Sequence, residues 1–152
     1  MNIRSRMEPL AAGVALVGLG GASAVHLMWA AGSSWPAEDR EQLAELVFGQ
    51  DRPMPGAAPT AAIAGLLGGA AGMLIAQRAG RHLPLLPRRA ERLGLRAIPA
   101  VLALRGFSGL VTSGLRLGRI TELYRRWDLR LYSPLCLLLA AASATTGRAQ
   151  VP

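Results

Sequence analysis

Four apolar stretches, divided by charged connections, restrict this chain to a narrow set of folds. They are Leu10–Ala31, Ala57–Gln77, Ala97–Leu115 and Leu131–Thr146. Only the third carries a formal charge at neutral pH, on Arg105. At about 1.5 Å of rise per residue the first three reach roughly 28–33 Å as helices, enough for a bilayer core of about 30 Å. The fourth reaches only about 24 Å and needs help from Asp128–Arg130 or from the C-terminal tail to span. Residues 1–152 are therefore expected to form one all-α domain, an integral membrane four-helix bundle.

Composition agrees. Hydrophobic residues make up 51% and charged residues 17%. A soluble domain carries about 25% charge. These figures exclude a disordered chain or a disulfide scaffold and argue against a soluble enzyme. Cys136 is the single cysteine, so it forms neither an intrachain disulfide nor a Cys-based metal site. The start of the first stretch also has signal-peptide features: Arg4 and Arg6 before an apolar run, then Ala22-Ser23-Ala24. The run continues to Ala31, which favours an uncleaved helix.

The connections differ in charge. Gly32–Gly56 is acidic, with Glu38, Asp39, Glu41, Glu45 and Asp51 against Arg40 and Arg52. Ser34 and Pro36, the acids that follow, the shared face of Leu43, Leu46 and Val47, and Gly49 predict a short amphipathic helix in this first external loop, lying on the membrane surface. Arg78–Arg96 holds six arginines against Glu91, and Pro84 and Pro87 break any long helix there. Arg116–Arg130 holds Arg116, Arg119, Arg125, Arg126 and Arg130 with Glu122 and Asp128. The positive-inside rule places the basic loop 78–96 in the cytoplasm and the acidic loop outside, in a multi-pass protein of the inner (plasma) membrane. Nine arginines then lie inside and seven outside, a narrow margin. The five in the third connection should resist translocation. Pairing and burial at the outer mouth is the favoured resolution; a re-entrant fourth segment is the alternative.

The net charge is +8, and all 17 basic residues are Arg, as GC-rich codon usage favours. The arginines flank apolar runs and have no aromatic residues interleaved, so the expected partner is the lipid bilayer and not nucleic acid.

Small residues suggest close helix packing. Gly65/Gly69 and Gly68/Gly72 are overlapping G-x-x-x-G pairs, with similar spacing at Gly18/Ala22 and along Gly106, Leu110 and Gly114. Internal packing is favoured over homo-oligomerisation. Arg105 is the sharpest signal. A guanidinium in mid-span costs about 2.5–3.5 kcal/mol on insertion scales, so it should face the bundle interior and find a partner. Ser108, Gly109 and Thr112 share its face, and Asp128 and Glu122 are the candidate counter-ions. The pair reads equally as structural or as part of an anion or headgroup site.

His26 and Trp29 share a face near the outer end of the first helix, with Trp35-Pro36 just beyond. Trp29 and Trp35 read first as membrane-boundary anchors and His26 as a structural histidine. The other histidine, His82, falls on the opposite side, so no metal site is expected. In Trp127–Cys136, Ser133 could cap a helix with Pro134 at its first position. A helix starting near Asp128 would instead be kinked at Pro134 and stack Asp128 and Tyr132 one turn apart. His26, Trp29, Trp35, Asp128, Arg130 and Tyr132 all fall toward the outer half, with Arg105 below them. This cluster is the candidate site for a lipid or small anionic ligand. No catalytic residue and no cofactor is assigned. The main alternative is an accessory subunit whose partner is a larger membrane protein complex. An enzyme using His26 and Asp128 as acid and base ranks last.

His26-x-x-Trp29, Trp35-Pro36, Arg105 and Asp128-x-x-x-Tyr132-Ser133-Pro134-Leu135-Cys136 together resemble the bacterial domain of unknown function 3995, of the actinobacterial type. The resemblance runs from about Leu10 to Ala144. It implies four helices and a membrane location, and brings no activity. The short fourth segment departs from it.

Overall fold

A computed structural model describes residues 3–49, 52–84 and 86–148. Asp51 of the acidic loop lies outside the described residues, as do the side chains of Arg4, Arg6 and Arg148. The fold is all-α: α1 (Ile3–Ala30), α2 (Arg40–Phe48), α3 (Ala57–Arg78), α4 (Arg88–Gly114), α5 (Glu122–Trp127) and α6 (Ser133–Arg148). A π-helical turn over Asp128–Tyr132 joins α5 to α6 without a break. Four helical stretches are long and apolar enough to cross a membrane: Glu8–Ala30, Ala57–Arg78, Arg88–Gly114 and Glu122–Thr146.

Two boundaries differ from the sequence reading. The third helix starts at Arg88, directly after Pro87, so the arginines up to Arg96 ride on α4 and not in a loop. The fourth is not short. It runs 25 residues from Glu122 to Thr146, roughly 37 Å at 1.5 Å per residue. Ser133 therefore caps nothing. Its N–H reaches back five residues to the Asp128 carbonyl, the wider turn of a π-helix. Pro134 follows inside the helix. It has no N–H to give, and in an α-helix its ring collides with the carbonyl four residues back. The wider turn precedes it and lets the helix continue.

α1 packs on α3 and on α6, and α4 packs on α6 and more lightly on α3. The core is built from small and branched residues: Ala15 and Leu19 of α1, Ala71 and Leu74 of α3, Leu139 and Ala142 of α6. In lipid, association relies on close van der Waals packing and interhelical hydrogen bonds rather than on expulsion of water. Gly68 supplies such a contact: a Cβ there would sit 3.1 Å from Ser23 Oγ, which itself donates to the Ala64 carbonyl at 2.8 Å. Gly65, Gly69 and Gly72 meet no heavy atom within 4 Å of a built Cβ. The α3 glycines thus divide between an internal and an outward face.

The acidic loop is also better ordered than its composition alone implies. Asp39, not Ser34, caps α2, accepting from the Glu41 and Gln42 N–H groups at 3.0 and 2.8 Å. Gly49 closes it in the left-handed region at φ 63°. Leu43, Ala44 and Leu46 are buried. They lie on a helix that packs on α5. Thr121 N–H donates to the Gly49 carbonyl at 2.9 Å, fixing the two segments together. Connection three pairs some of its arginines: Glu122 holds Arg125 at 2.8 Å and Arg116 at 3.8 Å. These pairs are not buried at a mouth, since Glu122 and Arg116 are both exposed.

Candidate functional site: the Arg105–Asp128 cluster

The polar centre begins with the α5 start. Thr121 Oγ1 accepts from the Tyr124 N–H at 3.3 Å, an N-cap that fixes the first turn. Tyr124 and Asp128 then fall one turn apart on the face toward α4. Asp128 is fully buried. An unpaired carboxylate there would be prohibitively expensive, so its partners decide whether it is tolerated. Arg105 Nη2 donates to Oδ1 at 3.0 Å. Ser133 Oγ donates to the same oxygen at 3.0 Å. Ser113 Oγ donates to Oδ2 at 2.5 Å. Three donors and one formal positive charge surround the carboxylate. Arg105 Nη2 also lies 3.2 Å from the Tyr124 hydroxyl.

This geometry depends on the absence of side chains on α4. A Cβ on Gly109 would come within 2.9 Å of Asp128 Oδ2, and closer still to Ser133 Oγ and Arg105 Nη1. A Cβ on Gly106 would lie 3.0 Å from the Ser133 carbonyl and nearer to Leu137. Gly106, Gly109 and Ser113 form one face of α4 that lets the π turn approach. The π turn in its place sets Ser133, five residues after Asp128, against the carboxylate.

Of the two counter-ions considered for Arg105, Asp128 holds it and Glu122 holds Arg125 instead. Ser108 and Thr112 do not join the cluster. Ser108 Oγ donates to the Arg105 carbonyl at 3.1 Å and Thr112 Oγ1 to the Ser108 carbonyl at 2.8 Å, so both bond back to their own helix. Tyr132 stands beside the cluster, its ring 6.4 Å from Tyr124 and 6.3 Å from Trp127. The guanidinium is not closed off. The Arg105 side chain is 40% exposed while that of Asp128 is at 0%. Among the described residues, Nε and Nη1 of Arg105 have no hydrogen-bond acceptor.

His26, Trp29 and Trp35 form a separate arrangement. His26 Nδ1 is 2.8 Å from the Ala22 carbonyl, and its ring lies 4.9 Å from that of Trp29. Trp29 Nε1 donates to the Trp35 carbonyl at 2.6 Å. Arg40 Nη1 donates to the Trp29 carbonyl at 3.4 Å. Trp29 is buried and so ties the loop to α1; Trp35 is exposed. No hydrogen bond, ion pair or ring contact among the described residues joins this group to Arg105 or Asp128. The reason is topological: α1 packs on α3 and α6, whereas α4 packs on α6, the π turn and α3. Arg130 is exposed on the π turn and pairs with neither group. The single cluster expected from the sequence is therefore two clusters and an isolated arginine. His26 and Asp128 share no hydrogen bond.

Tyr124 and Ser113 were the missing members; Gly109 was placed on the Arg105 face, and Ser133 was read as a cap and not as a partner of Asp128. Thr121 followed by Glu122 is a readable helix start, which would have placed Tyr124 and Asp128 on one face. The Gly106, Gly109, Ser113 spacing is also a readable helix face. The π turn has no comparable sequence signal. Among the described residues, no group of three or more metal-ligating side chains occurs.

A family model described as protein of unknown function (DUF3995) matches residues 19–143. No curated protein and no solved structure matches the chain.

Proposed function

Because the chain belongs to the DUF3995 family, whose description assigns no activity, we propose from geometry alone that it binds a lipid or small anionic ligand at Arg105 within the bundle. One observation carries this reading: a half-exposed intramembrane guanidinium keeps two nitrogens without an acceptor among the described residues, while its counter-ion is completely enclosed. Uncommitted donors facing hydrocarbon are costly, and a phosphate, carboxylate or ester oxygen relieves that cost. Asp128 positions the guanidinium, and Tyr124 and Tyr132 supply the adjoining aromatic surface. His26, Trp29 and Trp35 serve to fasten the first loop to α1, and Arg130 marks the rim.

The protein is placed in this reading in a bacterial plasma membrane, with the Arg78–Arg96 side cytoplasmic. Its exposed arginines support that orientation. The arginine-only basic composition fits the actinobacterial type of the family.

A second reading has its own support. Gly65 and Gly69 are exposed, and no described residue comes within 4 Å of a Cβ built on either; small residues turned to lipid permit a further helix to approach. An accessory subunit, or a homo-oligomer, would use this face.

The two separate by chemistry. Bound small molecules are extracted from the wild type and from the double variant Arg105→Leu/Asp128→Leu, which leaves no unpaired charge. The ligand reading expects a stoichiometric anionic or ester-bearing compound in the first and not in the second. Equal content in both contradicts it.

A further inference from the structure

α4 spans 27 residues, roughly 40 Å at 1.5 Å per residue, against a bilayer core of about 30 Å. Its first two turns therefore stand at headgroup level when the rest spans. Those turns carry Arg88, Arg89 and Arg92, and Arg96 follows in the third; all four are exposed. Among the described residues none of the four side chains makes an ion pair or a protein hydrogen bond. The acid within this stretch is engaged elsewhere: Glu91 is buried, and its Oε2 lies 3.2 Å from His82 Nδ1. Arg78 is engaged too, donating to the Glu8 carbonyl at 3.3 Å.

The helix register adds a second feature. Leu93, Ala97, Ala100, Leu104, Phe107 and Val111 are exposed at spacings of three and four, one apolar stripe along α4. At 100° per residue, Arg89, Arg92 and Arg96 lie together along one flank of the upper end of that stripe. Three uncompensated guanidinium groups thus sit at the head of an acyl-length apolar track.

We propose that Arg89, Arg92 and Arg96 hold the phosphate of an anionic phospholipid whose acyl chain lies along Leu93, Ala97, Ala100 and Leu104. Guanidinium forks match phosphate oxygens in pairs, which a Lys ammonium does not. The long arginine stems let Arg96, one turn deeper, reach up to the same phosphate. A zwitterionic lipid offers the same phosphate with an attached cation, which the three arginines repel. Selectivity for net negative headgroups follows. Arg105 lies nine residues beyond Arg96, roughly 13 Å along α4, so the two sites are separate.

The test uses the full chain in nanodiscs or mild detergent with a defined equal mixture of phosphatidylglycerol and phosphatidylcholine. Lipid retained through gentle delipidation is counted by native mass spectrometry. The wild type is expected to retain phosphatidylglycerol in at least about fivefold preference, on the scale of one arginine beside an anionic headgroup. Arg89→Gln/Arg92→Gln/Arg96→Gln should abolish the preference. Because removing charge can also disturb insertion, the triple Arg→Lys variant is measured beside it. It keeps the charge and topology, so it should keep the preference between the two lipids but retain severalfold less of both, having lost the paired phosphate contacts. Equal retention of the two lipids by the wild type overturns the proposal, as does a triple Lys variant indistinguishable from wild type. Full displacement of the lipid by millimolar inorganic phosphate would mark a free-anion site and also overturn it. An adduct that depends on Arg105 alone bears on the other site and leaves this measurement unchanged.

Discussion

Arg105 and Asp128 meet at 3.0 Å across the α4–α6 contact, yet their surroundings are unequal: one side chain is 40% exposed and the other fully enclosed. That asymmetry organises the protein's centre. The carboxylate is saturated by Arg105, Ser113 and Ser133. The guanidinium is anchored on one edge and free on the other.

Removing the acid should cost more than removing the pair. Asp128→Ala leaves Arg105 without its charge partner and strips Ser113 and Ser133 of their acceptor. We expect a loss of about 3–5 kcal/mol, the range for breaking a buried pair from one side. Arg105→Leu/Asp128→Leu should be closer to wild type than Asp128→Ala alone. Thermal unfolding in detergent measures both. A double variant worse than the single change would refute the account of the pair.

Gly109 has no substitute. Gly109→Ala drives a methyl into the Asp128 carboxylate, 2.9 Å from Oδ2, and into Ser133 and Arg105. Overpacking of this kind costs about 1–3 kcal/mol. Gly114, near the end of the same helix, meets nothing within 4 Å. Gly114→Ala is expected to be neutral or mildly stabilising, and comparing the two melting curves isolates the steric effect.

Gly49 joins the acidic loop to the bundle. It takes φ 63°, and a Cβ would enter the Tyr124 ring at 2.5 Å. Gly49→Ala should release α2 from α5 while leaving the spanning helices intact. Hydrogen exchange reads this directly: amides of Arg40–Phe48 should lose protection and those of Ala57–Arg78 should not. Unchanged protection in α2 would show that its apolar face is held by something other than α5.

The four spans and the acidic helix were legible because they rest on length, apolar content and helix-end residues. The Arg105–Asp128 pairing was legible for a related reason: a charge in mid-span must find its opposite, and two acids were in reach. What escaped was lateral order. Helices of similar hydrophobicity give no sign of which pack together, so His26 and Asp128 looked like neighbours although α1 packs on α3 and α6 while Asp128 faces α4. The fourth helix looked short because Asp128 and Arg130 broke its apolar run. In the fold Asp128 is neutralised from α4 and Arg130 turns outward, and the helix passes through both.

The most direct test of the central claim is native mass spectrometry of the protein released from a mild detergent, wild type beside Arg105→Leu/Asp128→Leu. The account predicts one stoichiometric lipid or small-molecule adduct of anionic or ester chemistry on the wild type, absent from the double variant while the mass of the folded protein is otherwise unaltered. A wild type carrying no adduct, or the same adduct persisting in the double variant, would contradict a ligand site at Arg105 and leave the cluster as a structural clasp between α4 and α6.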